Sequence, residues 1–342
     1  MRSKKTGFQQ RKMIALWVIA VGVHWSPLPH IARPWPARST HAACASATHV
    51  HIVGGYGEFD ELHYEPLADA WSFPVKRLDK RRLDKRLDAR SGWRRTPTAS
   101  CPDARMCATA SMWDEDDELV LFGGRGERGG PFDDIWCMRV ATGVWSKHAS
   151  TLPGGGDDRM ASCAMPCGII VLRTDRLGVV VYDGDGVRAQ PTSGDRPPPG
   201  HSRAMAALDD RYVLVAGGSS ATGALSDATY VLDTHAWHWT RPPATKMAFT
   251  PRMGAAAVGL GDGRVVLFGG ATYELEHDSG MVALDDTWIF DGHRWAQVGL
   301  KSPPAARFGA SLCRVGTTLV LHGGWNPDGA SFDDTYVGRA PS

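Results

Sequence analysis

Short apolar runs that end in two glycines recur along the chain. Five copies have this form: His51–Gly55, Leu119–Gly124, Tyr212–Gly218, Val265–Gly270 and Leu319–Gly324. A sixth copy, Gly168–Thr174, keeps the apolar run without the glycines. With position 172 standing for that copy, the successive first glycines lie 69, 49, 45, 52 and 54 residues apart. Apolar runs bounded by turn residues predict buried β-strands, and their recurrence at a near-constant period predicts a repeat architecture.

Each copy also carries signals on both sides of the apolar run. An arginine followed by small residues precedes it, at Arg38, Arg105, Arg159, Arg203, Arg252 and Arg307. An acid and then an aromatic residue follow it, as Asp69/Trp71, Asp134/Trp136, Asp227/Tyr230, Asp286/Trp288 and Asp334/Tyr336, and a second tryptophan often comes later, at positions 93, 145, 237 and 295. These signals predict four short strands per copy. Such a small sheet cannot bury both faces alone, so the copies have to stack, and radial stacking predicts a β-propeller.

On these residues the chain resembles the kelch-repeat β-propeller family, of the type that includes the central domain of galactose oxidase. The apolar run with Gly-Gly, the spaced aromatic pair and the period near 50 are that family's marks, and the copy from Val265 to Trp295 matches throughout. The resemblance implies an all-β fold, a single six-bladed kelch propeller over residues 21–340 with four-stranded antiparallel blades. The sixth run, without its glycines, departs from the family pattern in its loops.

The last copy contains its acid-aromatic strand but no final tryptophan strand before Ser342. The missing piece occurs at the other end of the chain, in the segment around Trp25. We therefore expect this N-terminal segment to supply the outer strand of the last blade, which closes the ring and removes a free sheet edge.

The first residues permit two interpretations. Residues 1–20 form a basic leader, and the apolar run Met13–Val23 follows Arg11 and Lys12. This is the outline of a signal peptide, although the run is shorter than a membrane span. The same run is also typical of a buried strand. The compartment stays open between the cytoplasm, which we favour, and secretion.

The near-neutral net charge of +1 hides two basic segments. Residues 1–12 carry five basic residues and no acid, and Lys76–Arg95 carries ten basic residues and three acids, which leaves the remainder near −11. An acidic body argues against general nucleic-acid binding. The basic segment belongs to an insertion, residues 74–95, within the first blade. It is either a solvated loop or a contact for an anionic partner.

The motifs of common enzymes and metal sites are missing or explained by the repeat. Gly124–Gly129 has the GxGxxG spacing of a dinucleotide site, but a strand rather than a helix follows it. The seven cysteines have neither zinc-knuckle nor disulfide-framework spacing, and His49 and His51 lack a third ligand. The sequence thus indicates no catalytic residue, no metal and no cofactor.

The resemblance also indicates where a partner would bind. In kelch domains that bind acidic peptides, basic residues after Gly-Gly and around the small-residue strand face a pocket on the top of the ring. The matching residues here are Arg105, Arg159, Arg203, Arg252 and Arg307, with Arg38 in the first copy, and Tyr56, Arg125 and Trp325 directly after Gly-Gly. Alternatively, the recurring arginine pairs with the recurring aspartate and braces each blade. Tyr56, Arg125 and Trp325 do not recur, which favours them as ligand contacts.

The function predicted on this basis is a monomeric protein-interaction or scaffold module that binds a protein partner, such as an acidic peptide, through its top-face loops. No enzymatic activity is expected. The alternative is a carbohydrate-active enzyme of epimerase or oxidase type, with its site at the mouth of the central channel.

Overall fold

Every regular element of the described chain is a β-strand. The computed structural model describes residues 23–28, 35–60, 63–75, 92–97, 100–113, 117–242, 249–299 and 302–339. The basic leader, nearly all of the run Met13–Val23 and most of the insertion 74–95 lie outside the described residues. Within these ranges no helix has the length and hydropathy that a membrane span needs.

Most strands of the described chain belong to six main sheets, numbered here in chain order from the inner strand outward. Sheet 1 comprises Ala42–Ala45, His49–Val53, Ala70–Pro74 and Arg94–Arg95; sheet 2 comprises Thr109–Trp113, Glu118–Phe122, Ile135–Arg139 and Val144–Lys147. Sheet 3 comprises Ala161–Met165, Gly168–Leu172, Val179–Tyr182 and Val187–Ala189; sheet 4 comprises Ala204–Ala207, Tyr212–Ala216, Thr229–Asp233, His238–Thr240 and Ser193–Gly194. Sheet 5 comprises Ala256–Gly259, Val265–Phe268, Thr287–Phe290 and Trp295–Val298; sheet 6 comprises Ser311–Val315, Thr318–His322, Thr335–Arg339 and Ser26–Pro27.

The main sheets are antiparallel, except that Ser193–Gly194 runs parallel to His238–Thr240. Smaller sheets lie in the loops: Ala37–Ser39 with Tyr56–Asp60 and His63–Pro66, Gly200–His201 with Ser219–Ser220, Ala271–Tyr273 with Met281–Ala283, and Trp325–Asn326 with Ala330–Ser331.

The second strand of each main sheet is mostly apolar and almost entirely buried, because each sheet is covered on both sides. All four residues of Val265–Phe268 and all five of Gly168–Leu172 are buried. A separate apolar cluster fills each interface between neighbouring sheets, including the one between sheets 6 and 1. The hydrophobic core is therefore distributed between the sheets, and the predicted stacking of small sheets is confirmed.

Inner strands contact one another in chain order around a central axis. Ala42–Ala45 contacts Thr109–Trp113 on one side and Ser311–Val315 on the other. At the outer edge of sheet 6, Ser26 and Pro27 pair with Val337 and Tyr336. The first described strand thus lies beside the last.

The glycine pairs have the backbone conformation that the repeat predicts. Gly123 and Gly124, for example, have φ of 55° and 89°, and the other four pairs are also positive. A Cβ on Gly123 would lie 2.4 Å from the carbonyl oxygen of Asp157 in the next sheet, so this approach requires glycine. One tryptophan differs from the pattern. Trp239, 1% exposed, fills the outer strand of sheet 4, whereas Trp237 precedes that strand in a turn with φ of 50°.

Candidate functional site

A closed ring of backbone hydrogen bonds surrounds the axis just before the inner strands begin. One residue just before each inner strand donates its backbone amide to the backbone carbonyl of the equivalent residue before the preceding sheet. The residue before sheet 1 donates to the one before sheet 6, so the ring of bonds is complete. The six residues, which we call the collar, are Thr40, Cys107, Arg159, Ser202, Gly254 and Gly309. Their N···O distances run from 2.8 to 3.0 Å. The collar sets the spacing of the six inner strands and forms the floor of the site.

All collar residues have a left-handed backbone. Gly254 and Gly309 both have φ of 63°, while Arg159 and Ser202 have 56° and 54°. Only glycine adopts this region without a steric penalty, and other residues held there often lie at functional sites. The side chains at Thr40, Cys107, Arg159 and Ser202 therefore occupy positions where the backbone favours glycine.

A cavity of about 840 Å³ lies on the collar, lined by the small loop sheets and the collar itself. Its lining includes the sequence-predicted residues Tyr56, Arg159, Arg203 and Trp325. None of the described lining residues is an aspartate or a glutamate. The cavity combines positive charge and hydroxyl groups with aromatic side chains, so it suits a ligand with an anionic group.

Four of the recurring arginines lie away from this cavity, in ion pairs inside the sheets. The pairs are Arg38–Asp69, Arg105–Asp134, Arg252–Asp286 and Arg307–Asp334. Each of these arginines is at most 1% exposed and also donates to the carbonyl oxygen of the first glycine of its copy. For Arg105, Arg252 and Arg307 this corrects the pocket assignment, because their guanidinium groups are fully engaged in bracing.

Two of the bracing aspartates, Asp69 and Asp134, stay charged although they are largely removed from solvent. Burial by itself would raise the pKa of Asp134, but hydrogen bonds from Arg105 and from the indole of Trp136 hold the pKa below its usual value. The pKa of Asp69 is lowered against the same effect of burial by Arg38 and Trp71. In sheets 1, 2 and 5 the recurring arginine, aspartate and tryptophan thus form one structural motif, because the indole donates to the aspartate that the arginine pairs with.

Sheets 3 and 4 break the bracing pattern, which leaves their arginines free to face the cavity. Asp157 and Gly200 occupy the places that correspond to Arg105, two residues before the collar. In sheet 3 the charges are reversed, with Arg173 lying 3.6 Å from Asp157. Arg159 is consequently a collar residue and Arg203 follows the collar directly.

The sequence contained a signal for this difference. The bracing arginines precede the first glycine of their copy by 16 to 18 residues. Arg203 precedes Gly217 by only 14, and Arg159 precedes Arg173 by the same interval. An alignment of the copies on their arginines does not reveal that Asp157 and Arg173 form the corresponding ion pair in sheet 3.

Arg159 and Arg203 lie together with His201 on one side of the cavity. Arg159 is exposed and Arg203 is half-buried, and neither makes an ion pair with any described residue. Nη2 of Arg203 donates to the carbonyl oxygen of Pro198 at 2.5 Å. The pKa of His201 is lowered by burial and by the charges of Arg159 and Arg203, with Asp158 opposing them.

Aromatic side chains lie on other parts of the wall. Trp325 packs edge-on against Phe308, with ring centroids 5.3 Å apart. Phe308 is next to the collar residue Gly309, which is three places round the ring from Arg159, so these rings face Arg159 across the axis. Tyr56 stacks on Tyr64 at 5.9 Å beside sheet 1. The cavity therefore has a basic side and an aromatic side.

Arg125, which the sequence favoured as a contact, is absent from the described lining of the cavity. It lies 3.3 Å from Asp158, as a bridge between the loops of sheets 2 and 3.

His41 lines the cavity as a buried, neutral imidazole. Burial, and then the charge of Arg38, lowers its pKa to about 3. Nε2 of His41 lies 2.9 Å from Oγ of Ser311, so the imidazole is neutral and hydrogen-bonded.

Metal-ligating residues do not converge in the described part of the molecule. Among the described residues, no three or more His, Cys, Asp or Glu side chains are grouped so that they could hold a metal ion. His49 and His51 lie with ring centroids 6.0 Å apart, and Nε2 of His51 is 3.2 Å from Oγ of Ser46.

Comparisons with known proteins agree with this architecture. The family model of the KLHDC2/KLHL20/DRC7 Kelch-repeats domain matches residues 172–339. The chain is 25% identical over 320 residues to Adagio-like protein 3 of Oryza sativa subsp. japonica, which covers 87% of this chain and 48% of that protein. It is 28% identical over 241 residues to the F-box/kelch-repeat protein At1g51550 of Arabidopsis thaliana, covering 60% and 48%.

The chain thus spans about half the length of these curated relatives. Among solved structures, the one entitled "Structure of YjhT" matches with a TM-score of 0.67 at 15% identity, over 90% of this chain and 95% of the other. At that identity the likeness concerns the fold.

Proposed function

We propose that the chain is a kelch-repeat protein-interaction module that binds an acidic peptide segment of a partner in the cavity above the collar. One observation carries the proposal: Arg159 and Arg203 reach the cavity with no carboxylate among its described lining residues. A planar guanidinium group is suited to bidentate recognition of carboxylates.

The aromatic side supports the same function. Trp325 and Tyr56 are only half-buried in the free protein. Tryptophan, tyrosine and arginine are the residues that most often dominate binding energy at protein interfaces. A peptide that places an acidic side chain at Arg159 and Arg203 would lay its apolar side chains against Trp325 and Phe308.

The frame of this site is, in this proposal, a single six-bladed ring over residues 21–340. The closed collar, the inter-sheet contact of sheets 6 and 1, and the pairing of Ser26–Pro27 with sheet 6 support it. A closed ring fixes the distance between its basic and aromatic sides, so the pocket needs no rearrangement to hold a ligand. The module acts by binding rather than by catalysis.

The proposal is tested with degenerate peptide libraries that carry a fixed central glutamate or a fixed central serine. The immobilised protein should retain the glutamate library in preference, and Arg159→Ala and Arg203→Ala should each weaken retention about tenfold. Trp325→Ala should weaken retention of both libraries. Arg211→Ala is the matched control, since Arg211 is exposed and pairs with Asp233 outside the cavity.

Equal retention of the glutamate library by the wild type and the three cavity variants would contradict the proposal. Circular dichroism of each variant establishes that the fold is intact before binding is compared. Arg125→Ala tests whether an arginine outside the described cavity lining contributes to binding. Because Arg125 is paired with Asp158, we expect it to weaken retention of the glutamate library less than Arg159→Ala does.

A further inference from the structure

Three basic side chains converge where sheets 3 and 4 meet the cavity. Arg159, His201 and Arg203 all line it, and the amide of Ser202 donates to the carbonyl oxygen of Arg159 at 3.0 Å, which holds the two segments side by side. The charges of both arginines act on the His201 imidazole. The cluster is thus built across two sheets rather than along one exposed loop.

The carboxylate whose charge acts on His201 is already engaged. Asp158 acts on His201, but it pairs with Arg125 at 3.3 Å and its side chain is only 17% exposed. Burial also lowers the pKa of Arg203, whose guanidinium group is held partly out of water without an acidic partner among the described residues. A cation in that state gains strongly from an anion supplied by a ligand.

Hydroxyl groups surround the same place. Oγ of Ser202 lies 3.1 Å from Nδ1 of His201, and the backbone of His201 pairs with that of Ser219. Ser219 and Ser220 also line the cavity. The Ser219 hydroxyl already donates to the carbonyl oxygen of Ser220, so the hydroxyls of Ser202 and Ser220 are the neutral donors beside the two guanidinium groups. A phosphate with three acceptor oxygens requires a donor set of this kind.

Backbone conformation marks the same residues. Arg159 and Ser202 hold a left-handed φ at collar positions that sheets 5 and 6 fill with Gly254 and Gly309. Their side chains are retained against a conformational penalty, and such strain points to a use for the side chain.

The geometry points to a phosphate monoester, carried by a phosphoserine or phosphothreonine of the partner peptide, as the group that Arg159, His201 and Arg203 bind. This inference rests on the proposed peptide-binding function and specifies its ligand. A carboxylate offers two oxygens and one charge, whereas the dianion offers three oxygens and satisfies both guanidinium forks. Its second charge also draws a proton from solvent onto the free ring nitrogen of His201, whose charged neighbours are Asp158, Arg159 and Arg203.

The test adds a library with a fixed central phosphoserine to the glutamate and serine libraries. The phosphoserine library should be retained about tenfold more tightly than the glutamate library. That preference should disappear in Arg159→Gln and Arg203→Gln and persist in the control Arg211→Gln. Inorganic phosphate at millimolar concentration should compete with the phosphoserine peptides, and its affinity when titrated alone shows whether free phosphate is itself a ligand.

Proton uptake provides a second readout. A selected phosphoserine peptide is titrated in buffers of different ionisation enthalpy, at a pH well above the second phosphate pKa of about 6, so that the free ligand is already a dianion. The heat should depend on the buffer, and His201→Gln should reduce this dependence while retaining most of the affinity. A merely structural role of His201 would not produce this pattern.

The outcomes separate the two levels of the proposal. If glutamate and phosphoserine libraries bind equally and both need Arg159, the phosphate inference is overturned and the peptide-binding function stands. If phosphoserine binds better but Arg159→Gln and Arg203→Gln leave the preference intact, the phosphate site lies elsewhere and the inference is also overturned. If no library depends on Arg159, Arg203 or Trp325, the proposed function itself fails.

Discussion

The amide of Thr40 donates a hydrogen bond to the carbonyl oxygen of Gly309, 2.8 Å away, and this bond joins the first sheet to the sixth. The same bond type links each remaining neighbour in the collar. Each collar residue is hydrogen-bonded to the collar residues of both neighbouring sheets, so a displacement of one sheet also displaces its two neighbours. Substitutions in the collar therefore test both the frame and the pocket.

One substitution to glycine and one from glycine within the collar should separate the effects on stability from the effects on binding. Arg159→Gly relieves a left-handed backbone and should raise the free energy of unfolding by up to about 1 kcal/mol, while it abolishes preference for acidic peptides. Gly254→Ala should lower that free energy by about 1 kcal/mol or more, because its Cβ would lie 3.2 Å from Cδ2 of Phe308. Urea titrations measure both effects. A large loss of stability in Arg159→Gly would contradict the view that its side chain is kept for binding.

Removing a buried Arg–Asp pair should, unlike Arg159→Gly, lower the free energy of unfolding. Arg105→Met removes the buried partner of Asp134, leaving only the exposed Lys147 at 3.9 Å, and removes a hydrogen bond to the Gly123 carbonyl. The free energy of unfolding should therefore fall by about 3–5 kcal/mol. A second substitution in the same chain, Asp134→Leu, should recover part of the loss because it removes the poorly compensated buried charge.

The exposed pair Arg211–Asp233 provides the control for this experiment, and Arg211→Ala should have little effect on stability. Equal effects of Arg105→Met and Arg211→Ala would rule out the bracing role. Arg159→Ala, at an exposed position without an ion pair among the described residues, should also resemble the control in stability.

The sequence predicted the sheets well because their signal is local. An apolar strand that ends in Gly-Gly needs no knowledge of its neighbours, and all five glycine pairs have positive φ. The copy without glycines still forms the second strand of sheet 3, Gly168–Leu172, since its five residues are buried on both faces.

The pocket was harder to predict because it depends on register between copies. Arg105 and Arg159 look equivalent in a list of arginines, yet one is buried in a brace and the other lies on the cavity floor two positions later in the repeat. That offset places an arginine where it has no aspartate to pair with. The convergence of Arg203 and His201 beside it arises from the meeting of two sheets, which no single copy encodes.

Contacts of Trp25 test the closure of the ring. Trp25 is 8% exposed and packs against Phe268, and a Cβ on Gly338 would lie 2.9 Å from its ring. Trp25→Ala should lower the free energy of unfolding by about 3–5 kcal/mol, and deletion of residues 1–30 should lower the melting temperature as well. Ser26→Ala, at the exposed residue that follows Trp25, is the control. Unchanged melting of the deletion variant would show that this segment does not close the ring.

Buried histidines should make the protein sensitive to mild acid. Burial and the charge of Arg38 lower the pKa of His41 to about 3. Burial, then His49, lowers the pKa of His51 to about 4. In both cases the unfolded chain takes up a proton below about 6.5, while the folded protein does not. Stability is thus greatest above that pH and is lost as the pH falls.

The size of this loss follows from proton linkage. Each histidine should cost about 2 kcal/mol between neutral pH and pH 5, or about 1.4 kcal/mol per pH unit within the window. Below about 4 the contribution of His51 levels off, because its folded form is protonated too. The paired carboxylates Asp69 and Asp134, with lowered pKa, add their own loss only in that more acidic range.

Urea titrations at a series of pH values measure the slope directly. His41→Gln and His51→Gln should each reduce the slope between pH 6.5 and about 4, whatever they do to stability at neutral pH. A wild-type slope near zero in this window would mean that the two imidazoles accept protons in the folded protein, and the neutral assignment of His41 on the cavity wall would then be wrong.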